Sequence, residues 1–257
     1  MSSRGFEPMD IRVVEGAGHL VVRVDGLLSL RTASDLRNVL LKAAAEQPRG
    51  LVCDLTDAAA TREGLTVLHV VADQVANWPS SPMVLVASAP PLLDQLDRLA
   101  LSLRMPVVTD VGQAAAALRH SPRLLLATMQ LPPTVDAPAA SRAFVAAALS
   151  RWRADGIVEG ARWVVSELVT NAVVHARTDM TVRVSLTGRR VGLSVADRGQ
   201  IGAVSLDGNS WGLRVVGQLA RSWGVLPRLG NGNVVWVVLD VDAPASAVLP
   251  KQTARRA

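Results

Sequence analysis

Through the first 120 residues, short Val-rich runs alternate with stretches of helical period. Residues 10–15 and 19–25 predict the arms of a hairpin turning at Gly16 and Gly18. Leu36, Val39, Leu40 and Ala43 recur at helical spacing and predict a helix over 32–47, capped by Thr32 and ended by Pro48-Arg49-Gly50. Residues 51–55 read as a buried strand. Residues 62–78 read as a helix with Leu65, Leu68, Val71 and Val75 inward. A strand over 83–87, a helix over 91–101, a short strand at 107–108 and a helix over 111–119 follow. This alternation predicts a mainly parallel α/β sheet, complete by about residue 120.

The second half has a different pattern and no internal repeat. Residues 123–131 predict a strand, and Pro132-Pro133 ends it. Two long helices are predicted over 138–153 and 158–177, and a hairpin over 181–186 and 191–196. A Gly-, Asp- and Asn-containing loop over 197–210 precedes a helix over 211–222. Strands over 225–229 and 234–241 are joined by Gly230-Asn231-Gly232-Asn233. Clustered helices and clustered strands predict an α/β sandwich with one helical layer. The expected domains are 10–120 and 121–242, with a polar, frayed tail over 243–257.

Composition narrows the function. Apolar residues make up 49% of the 257 and charged residues 19%, enough for real cores and against disorder. The mean hydropathy of +0.28 raises the question of a membrane. The uncharged stretch over 76–93, however, holds four prolines if Pro79, Pro82, Pro90 and Pro91 are counted, so no spanning helix is expected. Residues 1–10 lack the apolar core of a secretory signal. The single cysteine, Cys53, lies in an apolar run and reads as a core thiol in a reducing compartment, which points to the cytoplasm. One cysteine and four scattered histidines make no metal cluster. Net charge is +5, and all but Lys42 and Lys251 of the 27 basic residues are arginines spread along the chain. With no tyrosine and two phenylalanines there is no stacking platform, so direct nucleic-acid binding is not expected.

The chemistry lies in the second half. Glu167, Asn171 and His175 fall at i, i+4 and i+8 of a predicted helix, with Val165, Leu168 and Ala172 toward the sheet. Spacing alone fits a solvated helix face. It also fits a magnesium–nucleotide site, because an Asn amide oxygen is a hard ligand for Mg²⁺ and a carboxylate one turn away can take a proton. Asp197-Arg198-Gly199 follows a predicted strand, where a buried Asp can accept from an exocyclic amine and a glycine lets backbone approach a ligand. Taken alone it is also an ordinary turn. Gly212 opens a predicted helix whose amides could hold a phosphate.

The order of these three parts, from Glu167 to His175, Asp197 to Gly199 and Trp211-Gly212-Leu213, resembles the Bergerat-type ATPase fold over about residues 123–241. More closely it resembles the anti-sigma-factor serine kinases of actinobacteria. That resemblance implies ATP and Mg²⁺ as cofactors and Glu167 as catalytic base. It implies Asn171 as metal ligand, Asp197 as adenine reader, and nucleotide contacts from His175, Gly199, Gly212 and Leu213. The sequence departs from the family pattern at Ile201, Ser210 and Val234, which stand where a glycine, a glycine and a threonine are usual.

Residues 10–119 resemble a STAS domain, the fold of anti-sigma-factor antagonists. The resemblance rests on Gly26-Leu27-Leu28-Ser29 and on Cys53-Asp54-Leu55-Thr56 ending a strand. It aligns Glu63, in Ala60-Thr61-Arg62-Glu63-Gly64-Leu65, with the family's phosphoacceptor serine. Glu63 then either imitates a phosphorylated acceptor or is an acidic residue favoured in a first helical turn. Together the resemblances imply a partner-switching regulator, a serine/threonine kinase acting on a separate STAS protein. The alternative is a degenerate scaffold that binds a sigma factor or STAS partner without transfer. A homodimer stays open.

Overall fold

The alternation of the first half builds a sheet with apolar side chains on both faces. In the computed structural model, β1 (Asp10–Glu15) and β2 (Leu20–Leu28) form the predicted antiparallel hairpin. β2 runs parallel to β3 (Leu51–Ala60), β3 to β4 (Met83–Val86), and β4 to β5 (Val107–Val108). The order is β1-β2-β3-β4-β5, a mixed sheet. The structure describes residues 9–16, 18–79, 81–121, 124–199, 216 and 219–241.

Period-two alternation assigns each face. Leu20, Val22, Val24, Leu51, Cys53, Leu55, Met83 and Leu85 pack with α1 (Ala33–Ala45), α3 (Val67–Asn77) and α4 (Pro90–Arg98). Val21, Val52, Val84 and Val86 face the other way, against Ala114, Ala117 and Leu118 of α5 (Val111–His120). Leu36 and Leu40 of α1 are fully buried, each contributing about 1.5–3 kcal/mol through burial. Cys53 is fully buried as expected. Burial, reinforced by the charge of Asp54, pushes its thiol up to about 12, so it stays a neutral core residue.

Several boundaries differ from expectation for local reasons. Thr32 does not cap α1 through its side chain; its Oγ1 accepts from the Ser29 amide at 2.9 Å and donates to the Leu27 carbonyl at 3.0 Å. The predicted helix over 62–78 divides into α2 (Arg62–Leu65) and α3, with Thr66 between them. Cys53-Asp54-Leu55-Thr56 does not end a strand: β3 continues to Ala60, because β2 extends beside it through Gly26, Leu27 and Leu28.

The second sheet is β6 (Leu125–Leu131), β7 (Met180–Thr187), β8 (Arg190–Asp197), β10 (Asn233–Asp240) and β9 (Ser222–Pro227), in that order. Neighbours from β6 through β10 pair antiparallel. Val182, Val184, Val191, Leu193, Val195, Val235, Val237 and Leu239 share one face. They pack on α6 (Ala137–Arg151) and α7 (Val158–Asn171) through Val145, Leu149, Val164, Val165, Leu168 and Val169. That is the predicted single helical layer on a sheet. Ser222 begins a strand rather than closing a helix, and most of the helix predicted over 211–222 lies outside the described residues. The chain divides into two compact units: Met1–Leu124 with Leu226–Gly230, and Leu125–Val225 with Asn231–Ala257. Among the described residues no helix is long and apolar enough to cross a membrane.

Candidate functional site

α7 carries Glu167 and Asn171 on one side of its last turns. Four residues of α-helix leave them about 40° apart around the axis. As expected, Val165, Leu168 and Ala172 are buried in the core opposite, while Glu167 and Asn171 are half-buried. Arg142 of α6 donates from Nη1 to Ser166 Oγ at 2.7 Å and ties the two helices beside Glu167. Burial pushes the Glu167 carboxyl above its ordinary value of 4.5, so it holds a proton more readily than an exposed glutamate.

The helix does not continue regularly to 177 as expected. After Asn171 it widens into a π turn over Ala172–Ala176, closed by the Arg177 amide donating to the Ala172 carbonyl at 3.1 Å. Such widened turns change which side chains share a face. His175 lies in this turn and is exposed. Arg177 then ends the helix at φ 54°, and the chain reverses toward β7.

The reversal brings the helix end to the Asp197 loop. Thr178 Oγ1 accepts from the Arg198 amide at 3.0 Å. A Cβ on Gly199 would lie 2.9 Å from the Ala176 Cβ, so only glycine fits between the loop and the π turn. Asp197 is 5% exposed at the end of β8, and its Oδ1 accepts from the Gly199 amide at 2.8 Å. Opposite it on β10 stands Asn233, paired in register with Asp197. Asn233 donates from Nδ2 to the Gly199 carbonyl at 3.3 Å and so fixes the loop from a second side. Gly232, at φ 103°, precedes it; a Cβ there would collide with the Asp197 carbonyl.

The structure therefore brings the π turn that follows Asn171, with Ala176 and Thr178, against Asp197, Arg198 and Gly199 at one end of the second sheet, while Glu167 and Asn171 lie further back along α7. Gly212 and Leu213 lie outside the described residues, as do Ile201, Ser210 and Trp211. Val234 is fully buried and offers no polar atom. Sequence reading missed Thr178 and Asn233. The Gly230-Asn231-Gly232-Asn233 run marked a turn, but the pairing of Asn233 with Asp197 comes from the cross-strand register. No group of three or more His, Cys, Asp or Glu able to hold a metal occurs among the described residues. A metal held here would take Asn171 and the phosphates of a ligand, a donor set that suits Mg²⁺, which keeps waters and few protein oxygens.

In the first unit, Glu63 is exposed in the four-residue helix α2. Thr61 Oγ1 caps that helix by accepting from the Gly64 amide at 3.1 Å. A Cβ on Gly64 would lie 2.5 Å from the Leu28 carbonyl, so close packing on β2 requires glycine at 64. Asp54 is 7% exposed. Its Oδ1 accepts from the Thr56 amide at 3.1 Å and Oγ1 at 2.6 Å, and its Oδ2 lies 3.5 Å from Arg23 Nε. It is a structural carboxylate that fixes the chain at this point of β3.

No protein-family model matches the chain, and no curated protein matches it. Among solved structures, it is similar to an anti-sigma factor antagonist from Mycobacterium paratuberculosis at 23% identity, over 44% of this chain and 95% of that one, with a TM-score of 0.41. It is similar to RsbS of Moorella thermoacetica at 20% identity, over 42% of this chain and 94% of that one, with a TM-score of 0.37. The phosphorylated form of the Bacillus cell fate determinant SpoIIAA gives 11% identity over 42% and 98% of the two chains, with a TM-score of 0.34.

Proposed function

We propose that the chain is an ATP-binding regulator of the anti-sigma-factor, partner-switching type, with a STAS-like first unit and a Bergerat-type second unit. Its activity is serine/threonine phosphoryl transfer to a separate STAS protein. The observation that carries this reading is the contact of the α7 end with the Asp197 loop, through Gly199 against Ala176 and Thr178 against Arg198. It supports a site in which the helix carrying Glu167 and Asn171 ends against the loop carrying Asp197.

In this reading Asp197 accepts from the adenine amine, and Asn171 would hold a Mg²⁺ ion, which would supply charge neutralisation at the phosphates. Glu167 takes the proton of the attacking serine hydroxyl. Its half-buried setting raises its basicity toward the range in which a general base works well. Positioning and charge neutralisation supply most of the acceleration in such transfers. Transfer within the chain to position 63 is ruled out, since Glu63 has no hydroxyl.

The test uses labelled ATP, the full chain and a panel of Ser-bearing STAS proteins. Slow transfer is expected, falling about a hundredfold or more in Glu167→Ala while ATP binding survives. Transfer that persists in Glu167→Ala contradicts the assignment of the base. The buried Val234, which offers no polar contact where the family has a threonine, favours a second reading: a scaffold that binds partners without transfer. Partner binding with no labelled product would establish it.

A further inference from the structure

Asn233 is 2% exposed, and its Oδ1 has no hydrogen-bond partner among the described residues. A buried amide oxygen left unpaired is costly, on the order of 1–3 kcal/mol, and native proteins rarely keep one without a use. The amide orientation follows from its surroundings: Nδ2 faces the Gly199 carbonyl, which only a donor can satisfy, so Oδ1 is turned away from it. Period-two alternation puts Asn233 on the face of Val235 and Val237, and Asp197 on the face of Val195 and Leu193. Both therefore stand on the helix-packed side, side by side in register at the end where α7 turns.

We propose that Asn233 Oδ1 is a second acceptor for the base of the bound nucleotide, gripping one N–H of an exocyclic amine while Asp197 takes the other. This deepens the nucleotide reading above and rests on it. Two neighbouring acceptors select a 6-aminopurine, whose exocyclic amine carries two hydrogens. They reject guanine, which would turn a carbonyl oxygen toward them. Sequence alone would not assign the role, since Asn233 in a Gly-Asn-Gly-Asn turn reads as turn chemistry.

The test is calorimetric titration of the full chain with Mg-ATP, Mg-N6-methyl-ATP and Mg-N6,N6-dimethyl-ATP, for wild type and Asn233→Ala. If two acceptors read two hydrogens, the first methyl weakens binding to wild type about tenfold and the second weakens it again. In Asn233→Ala the first methyl costs nothing, because the surviving N–H still meets Asp197. The ligand-by-variant comparison isolates the pair. It does so even though Asn233→Ala also frees the Gly199 carbonyl, which affects the three ligands alike. Should the variant fail to melt cooperatively, the wild-type series decides alone: a tolerated first methyl followed by a large loss on the second means a single acceptor and overturns the proposal. Equal discrimination by wild type and variant overturns it too and leaves the nucleotide reading intact. Absence of any ATP binding by wild type overturns both.

Discussion

Glu167 is the residue whose ionisation the fold perturbs most usefully. Burial disfavours its charged form, so the folded chain binds its proton above pH 4.5 more tightly than the unfolded chain does. The unfolded state then carries fewer protons than the native one, and stability falls as pH rises through the interval above 4.5. Below that interval both states are protonated and the cost vanishes. Glu167→Gln removes the charge and should melt higher than wild type by a few degrees at pH 7–8, with the gap closing by pH 4. Melting curves across that range check it. A gap independent of pH, or a less stable variant at pH 8, would mean the carboxylate is well solvated or paired. A polar group at such a buried cost is what a functional site retains. The same logic applies to Asn233, whose Oδ1 has no partner among the described residues.

At the scale of elements, the alternating Val and Leu positions of β2, β3 and β4 were legible because each face is buried by a different helix layer. Period-two patterns report that directly. The ends of elements were less legible. Ala58, Ala59 and Ala60 carry little strand propensity, and only pairing with β2 keeps them extended. The π turn after Asn171 was invisible, since Val173-Val174 suits either helical winding and the closing bond is a backbone one. Capping was mixed: Thr32 makes other bonds, whereas Asp110 Oδ1 accepts from the Gln113 amide at 2.9 Å and caps α5. Asp110→Ala should cost about 1 kcal/mol, measured by denaturant unfolding. Because α5 covers the second face of the first sheet through Ala114, Ala117 and Leu118, the loss should appear in that unit's transition. No change in its midpoint would show that the helix is held by packing alone.

The whole molecule is two units, each with its own core. The expected boundary near residue 120 leads to a direct test. Fragments 1–120 and 121–257 should each be soluble and melt cooperatively; a fragment that aggregates or shows no transition would mean the cores depend on each other. The candidate site was legible in part. Glu167, Asn171 and Asp197 stood out through residue chemistry and order along the chain, and the second unit carries all three, the first two on α7 and the third at the end of β8. Thr178 and Asn233 were not legible, because their roles arise from a helix reversal and a cross-strand register that no local pattern encodes. The central claim is that this end of the second sheet holds Mg-ATP through Asn171. Calorimetry on the full chain, with ATP in the presence and absence of Mg²⁺, tests it most directly. Wild type should bind the magnesium complex at least about tenfold more tightly than free ATP, and Asn171→Ala should erase that difference while leaving metal-free binding unchanged. No binding by wild type, or the same magnesium enhancement in Asn171→Ala, would contradict the account.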